Sequence, residues 1–166
     1  MKHGDYLVDI LDKQGRLIGK KPRREINKQV DICHTVFGLL KVGENMFVLG
    51  LIDDSRFGTS LYNGLYGAPM ATIKRYQEAA EQAAIRGFKE ELDIAQKPEL
   101  IGEGMLQLQD GIFKFASIFV VNLRSVEKLK VKNPICLTSH GLDTKIDEPN
   151  FAPTLQEIWR TYRAKL

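Results

Sequence analysis

The chain has 166 residues, long enough for one ordinary domain with a sizeable core, and the expectation is a single domain over 1–166 with an N-terminal strand-and-turn extension over 1–30. Hydrophobic content of 43 % and charged content of 27 % suit a folded, water-facing protein, and no apolar run approaches the roughly 20 residues of a membrane span, so no membrane partner is expected. A formal net charge of +3 suits a phosphorylated small molecule but falls short of a nucleic-acid footprint. Cys33 and Cys136 make neither a disulfide framework nor a metal-ligand spacing, and the opening residues lack a signal-peptide layout. A reduced cytoplasmic setting is the expectation, and a homodimer is compatible with the sequence.

In chain order, Tyr6 to Leu11 alternates as a strand and ends in the turn Asp12-Lys13-Gln14-Gly15, with Leu17-Ile18 a second short strand. Ile32 to Leu40 is strongly β-prone, and Met46 to Ile52 pairs with it across Val42-Gly43-Glu44-Asn45. Asp53 to Gly64 reads as a polar loop, and Leu65 to Met70 as a short strand. Gln77 to Leu92 has no proline and much alanine, which predicts a helix. Its expected apolar stripe is Ala80, Ala84, Phe88 and Leu92, with Ile85. Glu99 to Gln109 and Ile112 to Leu123 read as a hairpin turning at Asp110-Gly111. Pro153 to Ala164 is a closing helix with Leu155, Ile158, Trp159 and Tyr162 on its apolar side.

The predicted central helix bears the chemistry. Gly87 lies three and four residues before Glu90 and Glu91, on the same helix side. A glutamate at 87 would complete the three-carboxylate cluster that hard divalent cations favour, and two acids remain. One substitution at Gly87 is therefore expected to restore the cluster and to help the helix.

Residues 71 to 94, ATIKRYQEAAEQAAIRGFKEELDI, resemble the Nudix box, G-x5-E-x7-R-E-U-x-E-E-x-G-U with U bulky and aliphatic. Glu78, Arg86, Glu90 and Glu91 stand at the box spacing. Thr72 replaces the first Gly, Gly87 a Glu, and Asp93 the second Gly. The stretch from Asp5 to Leu40 is similar to the N-terminal region of Nudix proteins related to isopentenyl-diphosphate isomerase, with Asp12, Gly15, Gly19 and Arg23 or Arg24 in its turn layout. Isomerase chemistry is not expected, because Pro69-Met70 stands where that enzyme's Cys would be and Ile73 where the box loop commonly has His.

The resemblance implies an α/β fold, an α/β/α sandwich with a mixed sheet between the box helix and a C-terminal helix. It also implies hydrolysis of a diphosphate linkage in a nucleoside diphosphate joined to another moiety. Glu90 and Glu91 would hold Mg2+ or Mn2+ with the backbone carbonyl of Ala71, and either acid would serve as base. Glu78 and Arg86 would be the ion pair fixing loop to helix. The loop expected from Thr72 to Gln77 brings Lys74 and Arg75 near the site as candidate phosphate binders, with Arg24 and Tyr66 as further substrate contacts. Tyr62 and Tyr76 are candidates for stacking, and Glu103, Asp110 and Glu148 for a replacement carboxylate. Cys33-His34 reads as strand packing. The alternative function is a non-catalytic Nudix-fold protein that binds a phosphorylated ligand or a protein partner.

Overall fold

The structure is a computed structural model that describes residues 5–53 and 61–166. Its organising element is β3 (Ile32–Val42), whose nine consecutive buried residues, Ile32 to Leu40, mark a strand covered on both faces. Along one edge β3 pairs in parallel with β8 (Phe113–Leu123), from His34 opposite Phe115 to Val42 opposite Leu123. Its other edge is shared in turn by β1 (Leu7–Leu11), β6 (Met70–Ile73) and β4 (Met46–Leu51), all antiparallel. Beyond these lie β2 (Leu17–Pro22) on β1, β5 (Tyr66–Gly67) and β9 (Ile135–Thr138) on β4, and β7 (Glu99–Gln107) on β8. The sheet is mixed, as expected.

Strand alternation sends successive side chains to opposite faces. Val36, Leu40, Val48, Phe119 and Val121 pack under α1 (Ala80–Leu92), against Ala83, Ala84, Phe88 and Leu92. On the other face Phe37, Leu39, Phe47, Leu49, Ile118 and Val120 meet α2 (Ser139–Lys145) and α3 (Pro153–Tyr162). Trp159 Nε1 donates to Asp143 Oδ1 at 3.0 Å, tying α3 to α2. The expected α/β/α sandwich is the observed one.

Several boundaries differ from the sequence expectation. The helix begins at Ala80 rather than Gln77, because Gln77 takes a left-handed φ of 62° that no helix can include. Ile85 is 48 % exposed, and the sheet-facing stripe runs instead through Ala83, Ala84, Gly87, Phe88 and Leu92. The strand expected over Leu65 to Met70 is two short strands, β5 on β4 and β6 on β3, separated by Ala68-Pro69. Thr72 and Ile73 consequently belong to β6, and the loop begins at Lys74. β9 and α2 went unpredicted. The helix is seven residues long and contains Gly141, and its start depends on Thr138, whose hydroxyl accepts from the Gly141 N–H at 3.0 Å. The expected loop Asp53 to Gly64 falls mostly on residues 54–60, outside the described residues.

α1 approaches β3 closely because Gly38 has no side chain. A Cβ there would lie 2.4 Å from Phe88 Cζ and 2.8 Å from Met70 Cε. Gly38→Ala should therefore cost about 2 kcal/mol through overpacking, measured by urea unfolding. An unchanged unfolding midpoint would show that the α1–sheet contact yields freely.

Candidate active site

A cleft of about 930 Å3 opens beside α1, with Glu90 and Glu91 on its wall and Ala71, Thr72 and Ile73 of β6 across from them. It lies within the size range of small-molecule sites. Its other lining includes Arg23, Lys28, Arg75, Lys114, Lys130 and Lys132. Among the described residues those cations outnumber the acidic lining residues, Asp31, Asp53, Glu90 and Glu91, which favours an anionic ligand.

The segment before α1 is held by one guanidinium. Arg86 donates from Nε to Glu78 Oε1 at 2.8 Å and from Nη2 to Glu78 Oε2 at 2.9 Å. Its Nη1 donates to Thr72 Oγ1 at 3.1 Å, and Nη2 also reaches the Ile73 carbonyl at 3.2 Å. The second Glu78 oxygen accepts the Arg75 N–H at 2.9 Å. Gln82 begins the helix by accepting the Ala79 N–H at 3.0 Å. Burial pushes the Glu78 carboxyl up, but the hydrogen bonds from Arg86 and Arg75 outweigh it and leave the group below its ordinary 4.5.

Glu91 Oε2 accepts weakly from the Ala71 N–H at 3.4 Å, and Glu90 Oε2 lies 3.8 Å from Arg86 Nη1. In an extended strand the N–H and C=O of one residue project from the same edge. The Ala71 carbonyl therefore shares the edge that faces Glu91. Two carboxylates and a carbonyl are hard oxygen donors, and they fit Mg2+ held jointly with the phosphates of a substrate. Among the described residues no group of three or more His, Cys, Asp or Glu could hold a metal ion.

The missing third acid has a packing cause. A Cβ on Gly87 would lie 2.7 Å from Met70 Sδ and 3.0 Å from Thr72 Cγ2. Thr72 cannot simply turn its methyl away, because its hydroxyl accepts from Arg86. The space of the absent glutamate stem is thus narrowed from β6 by two residues, the flexible Met70 thioether and the held Thr72, the latter itself a departure from the box pattern. The expectation that one substitution restores the cluster therefore meets a narrowed slot, in which Gly87→Glu requires Met70 to swing aside and Thr72 to give way.

Other candidates separate on inspection. Lys74 donates from Nζ to Asp9 Oδ2 at 2.8 Å and to the Glu78 carbonyl at 2.9 Å, which commits it to the loop rather than to a phosphate. Arg75 does line the cleft; its guanidinium stacks on Tyr6 at 4.9 Å, and its Nε is shut from solvent with no hydrogen-bond partner among the described residues. An orphaned donor of that kind costs about 1–3 kcal/mol. Arg24 is corrected by its neighbour: it points outward beside Asp5 and Glu25, whereas Arg23 is buried and lines the cleft. Tyr66 packs on Phe151 at 6.3 Å and Tyr76 lies beneath Lys20, so of the three tyrosines Tyr62 alone is part of the described lining. Glu103 accepts from Ser117, Asp110 accepts from Tyr62, and neither they nor Glu148 line the cleft. Cys33 and His34 face opposite ways. The Cys33 thiol is on the cleft, pushed up to about 11 by burial, while His34 Nε2 meets Ser117 Oγ at 2.6 Å. Asp93 ends α1 in the left-handed region, at φ 56°.

Two outcomes follow. A folded-state value for Glu78 below its unfolded one means that the Arg86 pair stabilises above about pH 4.5 and that this contribution is lost as pH falls through the depressed value. Glu78→Gln should cost roughly 3 kcal/mol at pH 7 and flatten the acid limb of a melting-temperature profile. An acid limb identical to wild type would remove Glu78 from the account. For the narrowed slot, Gly87→Glu alone should lose about 1–3 kcal/mol with little gain from Mn2+. Thr72→Gly with Gly87→Glu should instead be stabilised by Mn2+ more than wild type, in melts with and without metal. Equal metal shifts for the single and double variants would show that Thr72 does not narrow the slot.

No protein-family model matches the sequence, and no curated protein matches it. Solved structures do. DR0079 from Deinococcus radiodurans superposes with a TM-score of 0.74 at 15 % identity, over 94 % of this chain and 98 % of that one. A mutT/nudix family protein from Listeria innocua gives 0.56 at 17 % identity, over 79 % and 91 % of the two chains. The C-terminal domain of mouse MUTYH, solved in complex with human PCNA, gives 0.55 at 11 % identity, over 79 % and 87 %. At these identities the likeness speaks for the fold. With Glu78, Arg86, Glu90 and Glu91 at box spacing on and before α1, the chain has the Nudix fold.

Proposed function

We propose that the protein is a Nudix-type hydrolase that cleaves a diphosphate linkage in a nucleoside diphosphate joined to another moiety, with weak metal dependence. The supporting observation is the placement of Glu90 and Glu91 on the cleft wall, facing the β6 edge at Ala71 and anchored through Arg86. Glu90, Glu91 and the Ala71 carbonyl would hold Mg2+ or Mn2+. When bound, such an ion neutralises diphosphate charge and acidifies water.

The chain's own residues do the rest. Cationic lining residues draw the diphosphate into the cleft. Glu90 or Glu91 takes the proton of the attacking water. Oxygen bonds to one phosphorus, the bridging P–O bond breaks, and the other phosphate departs with that electron pair. Arg86 orients Glu90 while its bonds to Glu78, Thr72 and Ile73 keep the cleft wall in register.

The second reading is a non-catalytic Nudix-fold protein that binds a phosphorylated ligand or a protein partner. The narrowed slot beside Gly87 favours it. So does the MUTYH domain, a similar fold solved in complex with another protein.

Dinucleotides, nucleotide sugars and nucleoside triphosphates, each with Mg2+ or Mn2+, separate the two readings. The hydrolase reading expects phosphate or nucleotide release from at least one, slowed on the order of 100-fold by Glu91→Gln. No turnover on any class, or a rate that Glu91→Gln leaves unchanged, would favour the binding protein.

A further inference from the structure

The sheet register provides a ruler along the cleft floor. Cys33, Thr35 and Phe37 all line it, at alternate positions of β3. Phe37 pairs with Ala71, whose N–H meets Glu91, so that end of the floor belongs to the two acids. Thr35 pairs with Ile73, and the Lys74 N–H bonds the His34 carbonyl, so the floor continues toward Arg75. Phe37 lies four positions along the strand from Cys33, about 13 Å at the strand rise. A diphosphate seated at the acids is too short to reach that far.

The Cys33 end is built from four different elements. Arg23 comes from the turn after β2, buried and tied through its N–H to the Tyr6 carbonyl. Arg75 follows β6 and keeps its orphaned Nε beside Tyr6. Lys114 on β8 precedes Phe115, the partner of His34, and so stands next to Cys33. Asp31, Lys114, Arg23 and Lys21 all act electrostatically on the Cys33 thiol, so Lys114 and Arg23 share its surroundings with one acid and a further lysine. Asp31 also lies there, and its carboxylate is taken by Lys21 at 2.6 Å and by the Asn27 N–H at 2.8 Å. Among the described charged groups that line this end, the cations outnumber the one acid.

We propose that Arg23, Arg75 and Lys114 form a second anion subsite, over Cys33, that takes a phosphate group about 13 Å from the two acids. The substrate class is thereby narrowed to a diphosphate whose far portion carries a further phosphate. The inference rests on the diphosphate reading only for what occupies the acid end. Two arginines and a lysine that line one cleft from separate elements suit the tetrahedral oxygens of phosphate. At this end Cys33 is a floor residue and not a nucleophile.

Calorimetry with inorganic phosphate, in the presence of a chelator, tests the subsite on the whole protein. Wild type should bind, and Lys114→Gln and Arg75→Gln should each raise Kd about ten-fold or more, as expected for a lost charge-assisted contact. Lys97→Gln, an exposed lysine paired with Glu81 outside the cleft lining, should leave Kd unchanged. The pair Glu90→Gln and Glu91→Gln should leave it unchanged or lower it. Should Arg75→Gln fail to fold, Cys33 gives a second measurement: in Cys136→Ser protein, phosphate should slow its alkylation by iodoacetamide. Absence of phosphate binding, equal weakening by Lys97→Gln, or no protection of Cys33 would each overturn the proposal. Phosphate binding without hydrolysis of any diphosphate removes the hydrolase reading and leaves the subsite. Hydrolysis without phosphate binding does the reverse.

Discussion

The Arg86 guanidinium is the contact on which the site depends. Half-buried between α1 and β6, it is stabilised by two bonds to Glu78, one to the Thr72 hydroxyl and one to the Ile73 carbonyl. Removing one partner would strand a charge in a place with little water, which is why such groups act together. Through Glu78 it fixes the Arg75 backbone, and through its helix position it lies one turn before Glu90. Acid wall, β6 edge and cationic loop thus share one anchor. The loop gains a second tie from Lys74, bonded to both Asp9 and the Glu78 carbonyl.

β3 converts that local anchor into a cleft. One set of its alternate residues, Val36 and Leu40, disappears under α1, with Gly38 clearing space for Phe88. The other set, Cys33, Thr35 and Phe37, forms the floor that a ligand would meet. Toward its C-terminal end the same face is covered by α3 and α2, and Leu39 is core. A single strand therefore passes from site to core within a few residues, and the helices determine where one becomes the other.

Much of this was legible in the sequence. The long β-prone run, the alanine-rich helix, the Asp110-Gly111 hairpin and the box spacing all carry local signals, and each appears in the fold. What failed depended on long-range contacts. Periodicity could not tell that Ile85 would face solvent, since its neighbour Ala84 and the small Gly87 already meet the sheet. Nothing local distinguishes Arg23 from Arg24, because the outcome depends on how a short turn seats against Tyr6. Lys74 reads as a phosphate binder until Asp9, far away in sequence, comes beside it. Gly87 was legible as a missing acid. Its narrowed slot was not, because Met70 and Thr72 are brought there by strand pairing rather than by helix spacing.

The Thr72 and Gly87 pair also limits the histories open to this chain. Each residue departs from the box pattern, and the two occupy one space. If glycine at 72 and glutamate at 87 were once both present, their loss would have an order: shedding the bulk at 87 makes room, and the methyl at 72 then takes it. Running that sequence backwards one codon at a time is opposed on the first step at 87, where the glutamate stem crowds Met70 and the held Thr72. It is unrewarded on the first step at 72, where removing the threonine gives up an Arg86 contact and restores no acid. Two neighbouring residues thus oppose a return by single steps, because neither change alone recovers both the space and the acid.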